Sequence, residues 1–154
     1  MAFHYKTQGI ILKKRDAGEA NRVFTVFSKE YGKVALWAAS ERKITSKLRG
    51  GLTLFSLSNL SFIQGKQKKV LVEAVPARSF LPVPCDLSCL RAAYLAAHLL
   101  DLHTAKEEQD ERVWELLHNF FVVLGQESSP QQAYQSFAPQ FLGLAGYGKE
   151  PILS

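Results

Sequence analysis

Between Thr7 and Val75 the chain is almost entirely β-forming, and only one interruption is longer than a turn: Ser40-Glu41-Arg42-Lys43-Ile44-Thr45-Ser46-Lys47-Leu48-Arg49-Gly50-Gly51. The number of runs and the place of this insertion constrain the fold more than anything else in the sequence. Thr7 to Arg15 is a β-branched and aliphatic run that ends in three cations and the turn signal Asp16-Ala17-Gly18. Asn21 to Ser28 follows, then Glu30-Tyr31-Gly32-Lys33, where Gly32 supplies the positive φ of a tight hairpin, then Val34 to Ala39. Past the insertion, Leu52 to Ile63 has Phe55 and Leu57 at odd positions and Leu60 and Phe62 at even ones, a slip that predicts a β-bulge at Ser58-Asn59. Gln64 to Gln67 reads as a turn, and Lys68 to Val75 as a fifth strand ended by Pro76, which cannot donate to a ladder.

Five strands with the one long insertion between the third and fourth match the layout of an OB-fold, a five-stranded Greek-key barrel; an SH3-like barrel fits the count as well. In an OB-fold the insertion usually holds a short helix, and Ile44 to Leu48 is about one turn long. Phe80-Leu81-Pro82-Val83-Pro84 is a stiff connector that divides an expected barrel, residues 1–80, from a second domain, residues 81–154.

In the second domain the period changes to that of helices. Leu87, Leu90, Ala93, Tyr94, Ala97 and Leu100 suit a first helix, and Thr104 to Asp110 breaks it. Val113, Trp114, Leu116, Leu117, Phe120, Phe121 and Leu124 make a wide apolar stripe ended by Gly125. Ser129-Pro130-Gln131-Gln132 starts a third helix with an N-cap and a first-turn proline; Pro139 is expected to kink it and Gly146 to stop it. The fold class is therefore α+β, a barrel followed by a small all-helical domain. Glu107, Glu108, Asp110, Glu111 and Glu115 cluster where a helix begins, and favourable contact with the helix dipole accounts for them without catalysis.

Charge divides along the same line. Residues 1–80 carry 15 Lys+Arg against 5 Asp+Glu, net +10, and residues 81–154 carry 4 against 9, net −5. A one-sided field of this kind draws polyanions to one half of a molecule. An apolar content of 47% in 154 residues is ordinary for a globular chain, and no apolar run approaches the ~18 residues of a membrane span. These features and the lack of a signal sequence give the expectation of a cytoplasmic protein without membrane contact. Cys85 and Cys89 have no second pair to complete a tetrahedral metal site, and His98 and His103 fall on different helix faces, so neither metal nor cofactor is expected. The sequence has no phosphate loop, no nucleophile elbow and no zinc-protease helix, and Gly143, Gly146 and Gly148 follow a helix where a dinucleotide fingerprint would follow a strand; no enzymatic activity is expected.

Three blocks carry a family resemblance: Thr7 to Lys13; Gly18 to Ser28 with Tyr31-Gly32-Lys33; and Ser46-Lys47-Leu48-Arg49-Gly50-Gly51-Leu52. In this order and spacing they resemble the amino-terminal domain of the bacterial recombination mediator RecO, and Leu90 to Leu95 resembles the Tyr-bearing helix that opens that family's second domain. The resemblance implies an OB-fold that binds single-stranded and double-stranded DNA, promotes strand annealing, and works with RecR and single-stranded-DNA-binding protein in recombinational repair within the bacterial nucleoid. It also implies a four-cysteine zinc module and further helices after the stretch similar to Phe141 to Tyr147, and this sequence carries neither. The family takes the acidic tail of single-stranded-DNA-binding protein on its helical domain, an arrangement that a net charge of −5 there disfavours.

Lys and Arg that neutralise phosphates give an interface whose strength depends on salt more than on sequence. The first candidates are Arg42, Lys43, Lys47 and Arg49; the second are Lys13, Lys14, Arg15, Arg22, Lys66, Lys68 and Lys69. Trp37 and Phe55 suit either base stacking or the barrel core. The competing reading is a non-enzymatic adaptor whose basic barrel docks an acidic partner protein without touching DNA.

Overall fold

The computed structural model describes residues 3–18, 21–39, 49–82, 85–126 and 129–146. The chain divides into two compact units, Met1–Ser79 with Lys106–Gln109, and Phe80–Ala105 with Asp110–Ser154.

The first unit is a barrel of β1 (His4–Asp16), β2 (Asn21–Ser28), β3 (Gly32–Ala39), β4 (Ser56–Gln64) and β5 (Lys69–Ser79). Its strands neighbour one another in the order β1-β2-β3-β5-β4, and β4 closes back on β1. All pairs are antiparallel except β3 with β5, which run parallel at Leu36↔Lys69 and Trp37↔Val70. This Greek-key order is that of the OB-fold and decides against an SH3-like barrel.

Alternation along the strands fills the interior. Ile11, Phe24, Val26, Val34, Leu36, Ala38, Leu60, Phe62 and Leu71 form one buried cluster, to which Leu52 and Ala74 belong. Each of the large side chains contributes about 1.5–3 kcal/mol by leaving water. The β2–β3 hairpin turns at Gly32, φ 69°, and is locked by Ser28 Oγ, which donates to the Gly32 carbonyl at 2.8 Å and accepts from Tyr31 N–H at 3.0 Å.

The slip in apolar alternation along β4 has a different origin from the one expected. The β1–β4 register runs unbroken from His4↔Ile63 to Ile10↔Leu57, so β4 carries no bulge toward β1. Leu60 and Phe62 point into the barrel, while Leu57 lies on the other side in a buried row with Ile10 and Phe27. The apolar residues change face because both faces are buried. The irregularities lie on β5, where Ala77 and Val72 are the extra residues opposite Leu57/Ser58 and Ser61/Phe62. They also explain why Pro76 does not end β5: it pairs with Ser58 beside the first bulge, where the ladder is already interrupted, and the strand continues to Ser79.

The insertion between β3 and β4 ends in a 3-10 turn, Arg49–Gly51, laid against β5. The expected helical turn at Ile44 to Leu48 lies outside the described residues. Ser58, fully buried, donates its hydroxyl to the Gly51 carbonyl at 2.5 Å, and a Cβ on Gly51 would sit 2.4 Å from the Ala74 carbonyl oxygen. That close approach is what the second glycine of the pair permits.

The second unit holds α1 (Leu87–Leu102), α2 (Glu111–Gln126) and α3 (Pro130–Leu144), with α3 packed on both others. Asp86 caps α1 by accepting from Cys89 N–H at 2.8 Å, Asp110 accepts from Val113 N–H at 3.3 Å at the start of α2, and Ser129 accepts from Gln132 N–H at 3.3 Å in α3. The buried side of α1 is made of small residues, Cys89, Ala92, Ala93, Ala96 and Ala97 with Leu100, while Leu87, Leu90 and Tyr94 from the expected stripe are exposed. Small side chains let the helix axis approach its neighbours, and this displaces the buried face from the one the leucines suggest. Gly125 does not end α2, which runs to Gln126; a Cβ there would sit 2.0 Å from the Phe80 carbonyl oxygen. No helix among the described residues is long and apolar enough to cross a membrane.

Candidate nucleic-acid interface

Register assigns the barrel's cations to faces. On β3, Val34, Leu36 and Ala38 point inward, so Lys33, Ala35 and Trp37 point outward, and their partners on β2 are Phe27, Thr25 and Val23. On β1 the pairing slips between Ile11 and Lys13, leaving Leu12 as the extra residue. Beyond this bulge Lys13 pairs with Thr25 and Arg15 with Val23, so both share the outer face with Trp37. Lys14 pairs with Phe24 and belongs to the opposite side. Three consecutive cations are thus split two to one by the pleat.

The row Arg15–Val23–Trp37 crosses three strands, about 10 Å at the usual strand spacing. From its far side comes Lys68, in the β4–β5 turn that the Gly65 N–H closes on the Lys68 carbonyl at 2.8 Å. Lys68 Nζ lies 4.0 Å from the centre of the Trp37 ring. Lys66 is exposed in the same turn. The outer face of β2–β3, bordered by the β1–β2 and β4–β5 loops, therefore brings together Lys13, Arg15, Lys68 and a half-buried indole, with Lys66 in the bordering turn. In OB-folds that face and those loops are where oligonucleotides lie.

Other candidates are placed elsewhere. Arg22 pairs with Asp16, Nε to Oδ1 at 3.0 Å, on the side opposite Arg15. Lys69 is held by Glu107 at 2.5 Å, its side chain only 14% exposed, beside Tyr5, Tyr31 and Phe62. Glu107 therefore does not serve a helix start as the acidic cluster suggested. It lies in the connector before α2, φ 59°, with its N–H donated to the Lys33 carbonyl at 2.8 Å, while Gln109 Nε2 donates to the Lys29 carbonyl at 3.3 Å. Arg42, Lys43 and Lys47 lie outside the described residues, and of Arg49 only the backbone belongs to them. Phe55 is 2% exposed, which makes it core.

The sequence left Trp37 between core and surface, although the inward set Val34, Leu36 and Ala38 already put it on the other face. What no local pattern carried was the contact with Lys68, thirty-one residues away and brought there by the parallel pairing of β3 with β5. Among the described residues no group of three or more His, Cys, Asp or Glu is gathered as for a metal ion.

A family model described as recombination protein O N terminal matches residues 1–80. Curated relatives include a DNA repair protein RecO of Gloeothece citriformis, 33% identical over 95% of this chain and 53% of that protein. Proteins of the same name match from Dehalococcoides mccartyi, 30% identical over 95% of this chain and 58% of the relative, and from Roseiflexus sp., 28% identical over 93% and 50%. The chain spans between half and three-fifths of the length of these relatives.

Proposed function

Since the chain belongs to the RecO family of DNA repair proteins, we propose that it acts in recombinational DNA repair as a non-catalytic DNA-binding protein. The observation that carries this reading is that Lys13 and Arg15 share the outer face of the barrel with Trp37, over whose ring Lys68 lies. Phosphates would meet the cations and release counterions, so binding is tight at low salt, weak at high salt and tolerant of sequence. Single strands and duplex both offer that backbone. Promotion of annealing, and work with RecR and single-stranded-DNA-binding protein in the bacterial nucleoid, belong to the same proposal. A binding face that neutralises two strands reduces the repulsion that keeps them apart.

The acidic tail of a partner is better suited to this basic face than to the second unit, so DNA and such a tail would compete for the same cations. The test is fluorescence anisotropy of a labelled single-stranded oligonucleotide and of a duplex at low salt. Binding of both supports the reading. No binding of either, with retention of an acidic peptide, overturns it in favour of an adaptor that never touches DNA.

A further inference from the structure

We propose that Trp37 is a stacking platform for one unpaired base, held ready by Lys68, and that it makes this face of the barrel select single strands over duplex. The proposal rests on the DNA-binding reading above and names the form of DNA that the site takes.

The ring's surroundings argue for it. A tryptophan that only fills a core has apolar neighbours over both faces, as the contacts around Phe62 illustrate, where Tyr5 stacks at 5.3 Å and Tyr31 stands edge-on at 5.7 Å. Trp37 has its strand neighbours Val23 and Val70 beside it and the ammonium of an exposed turn lysine over the ring. Lys68 is an exposed turn residue, so a ligand can reach the ring face under its ammonium by moving that flexible side chain.

The exchange is favourable in kind. An exposed cation–π contact is weaker than a base–aromatic stack, so a base can take the place of Lys68. The displaced ammonium then lies beside the phosphate that accompanies that base, and Arg15 stands at the other end of the row. Lys68 thus covers an apolar ring when DNA is absent and neutralises backbone when DNA is present. Duplex cannot use the platform, because its bases show their edges in the grooves and keep their faces stacked. Duplex contact with this surface is limited to phosphates.

Intrinsic fluorescence of the full chain tests this directly. The chain has two tryptophans, and Trp114 is 4% exposed, so a change in emission on binding reports Trp37. A dT oligonucleotide should quench emission with the midpoint seen by anisotropy, whereas a blunt duplex of equal length should raise anisotropy without quenching. Trp37→Ala should weaken oligonucleotide binding about 5- to 100-fold and leave duplex binding within about twofold, and Trp37→Phe should restore most of the loss. Oligonucleotide binding with unchanged emission overturns the platform and leaves the DNA reading standing. Equal loss of both ligands in a folded Trp37→Ala protein does the same. Failure of the unmodified chain to bind either ligand overturns both.

Discussion

Gly50 and Gly51 are neighbours in sequence and opposites in what they tolerate. A Cβ at Gly51 would lie 2.4 Å from the Ala74 carbonyl oxygen, in backbone that cannot step aside, whereas nothing among the described residues lies within 4 Å of one at Gly50. Gly51→Ala should cost about 1–3 kcal/mol in urea denaturation, and Gly50→Ala should be neutral or stabilise by up to about 1 kcal/mol. Equal costs would mean that the insertion does not pack on β5 as described. Cys89 makes a second prediction at this scale. Burial first, then the neighbouring Cys85 and the charge of Asp86, pushes its thiol up to about 12. In the unfolded chain a thiol ionises near ~8.5, so the folded form holds a proton that the unfolded form gives up. The resulting stabilisation is complete below that pH and is lost as pH rises toward 12. Cys89→Ala should therefore make the fall in stability between pH 8 and 10.5 shallower, and an unchanged slope would show the thiol to be accessible.

At the scale of elements, α3 offers the clearest test. Pro139 lies inside the helix, where it cannot donate to the carbonyl of Gln135, and its ring is exposed. Pro139→Ala should raise the urea midpoint at an unchanged denaturant slope, a gain of about 1–3 kcal/mol, and a loss would mean that the proline relieves a bend the packing needs. The elements themselves were largely legible, because period-2 and period-3.6 patterns, Gly32, Ser129 and Gly146 are local signals. Two misreadings concern which side of an element is buried. Leu57 joins a second buried row with Ile10 and Phe27, which looked like a bulge, and alanines outcompete leucines for the inward side of α1 because they allow a closer approach. The continuation of β5 past Pro76 depended on bulges that only its pairing with β4 reveals.

For the molecule as a whole, the charge division of +10 and −5 between residues 1–80 and 81–154 was readable at once, but charge alone does not place a site. Among the second-choice cations, Lys13 and Arg15 share the face of Trp37 and Lys68 lies over its ring, Arg22 is committed to Asp16 and Lys69 to Glu107, and Lys14 is turned to the other side. These assignments come from strand register and from contacts distant in sequence, which no run of lysines reveals. They also make the central claim measurable. Anisotropy of a labelled single strand over a salt series should show affinity falling steeply with salt in the unmodified chain. In Lys13→Glu/Arg15→Glu the affinity should drop and the log–log slope should become shallower by about 1 to 2, while Arg91→Glu on the exposed side of α1 should leave the slope unchanged. A slope that is the same in all three proteins would contradict the account.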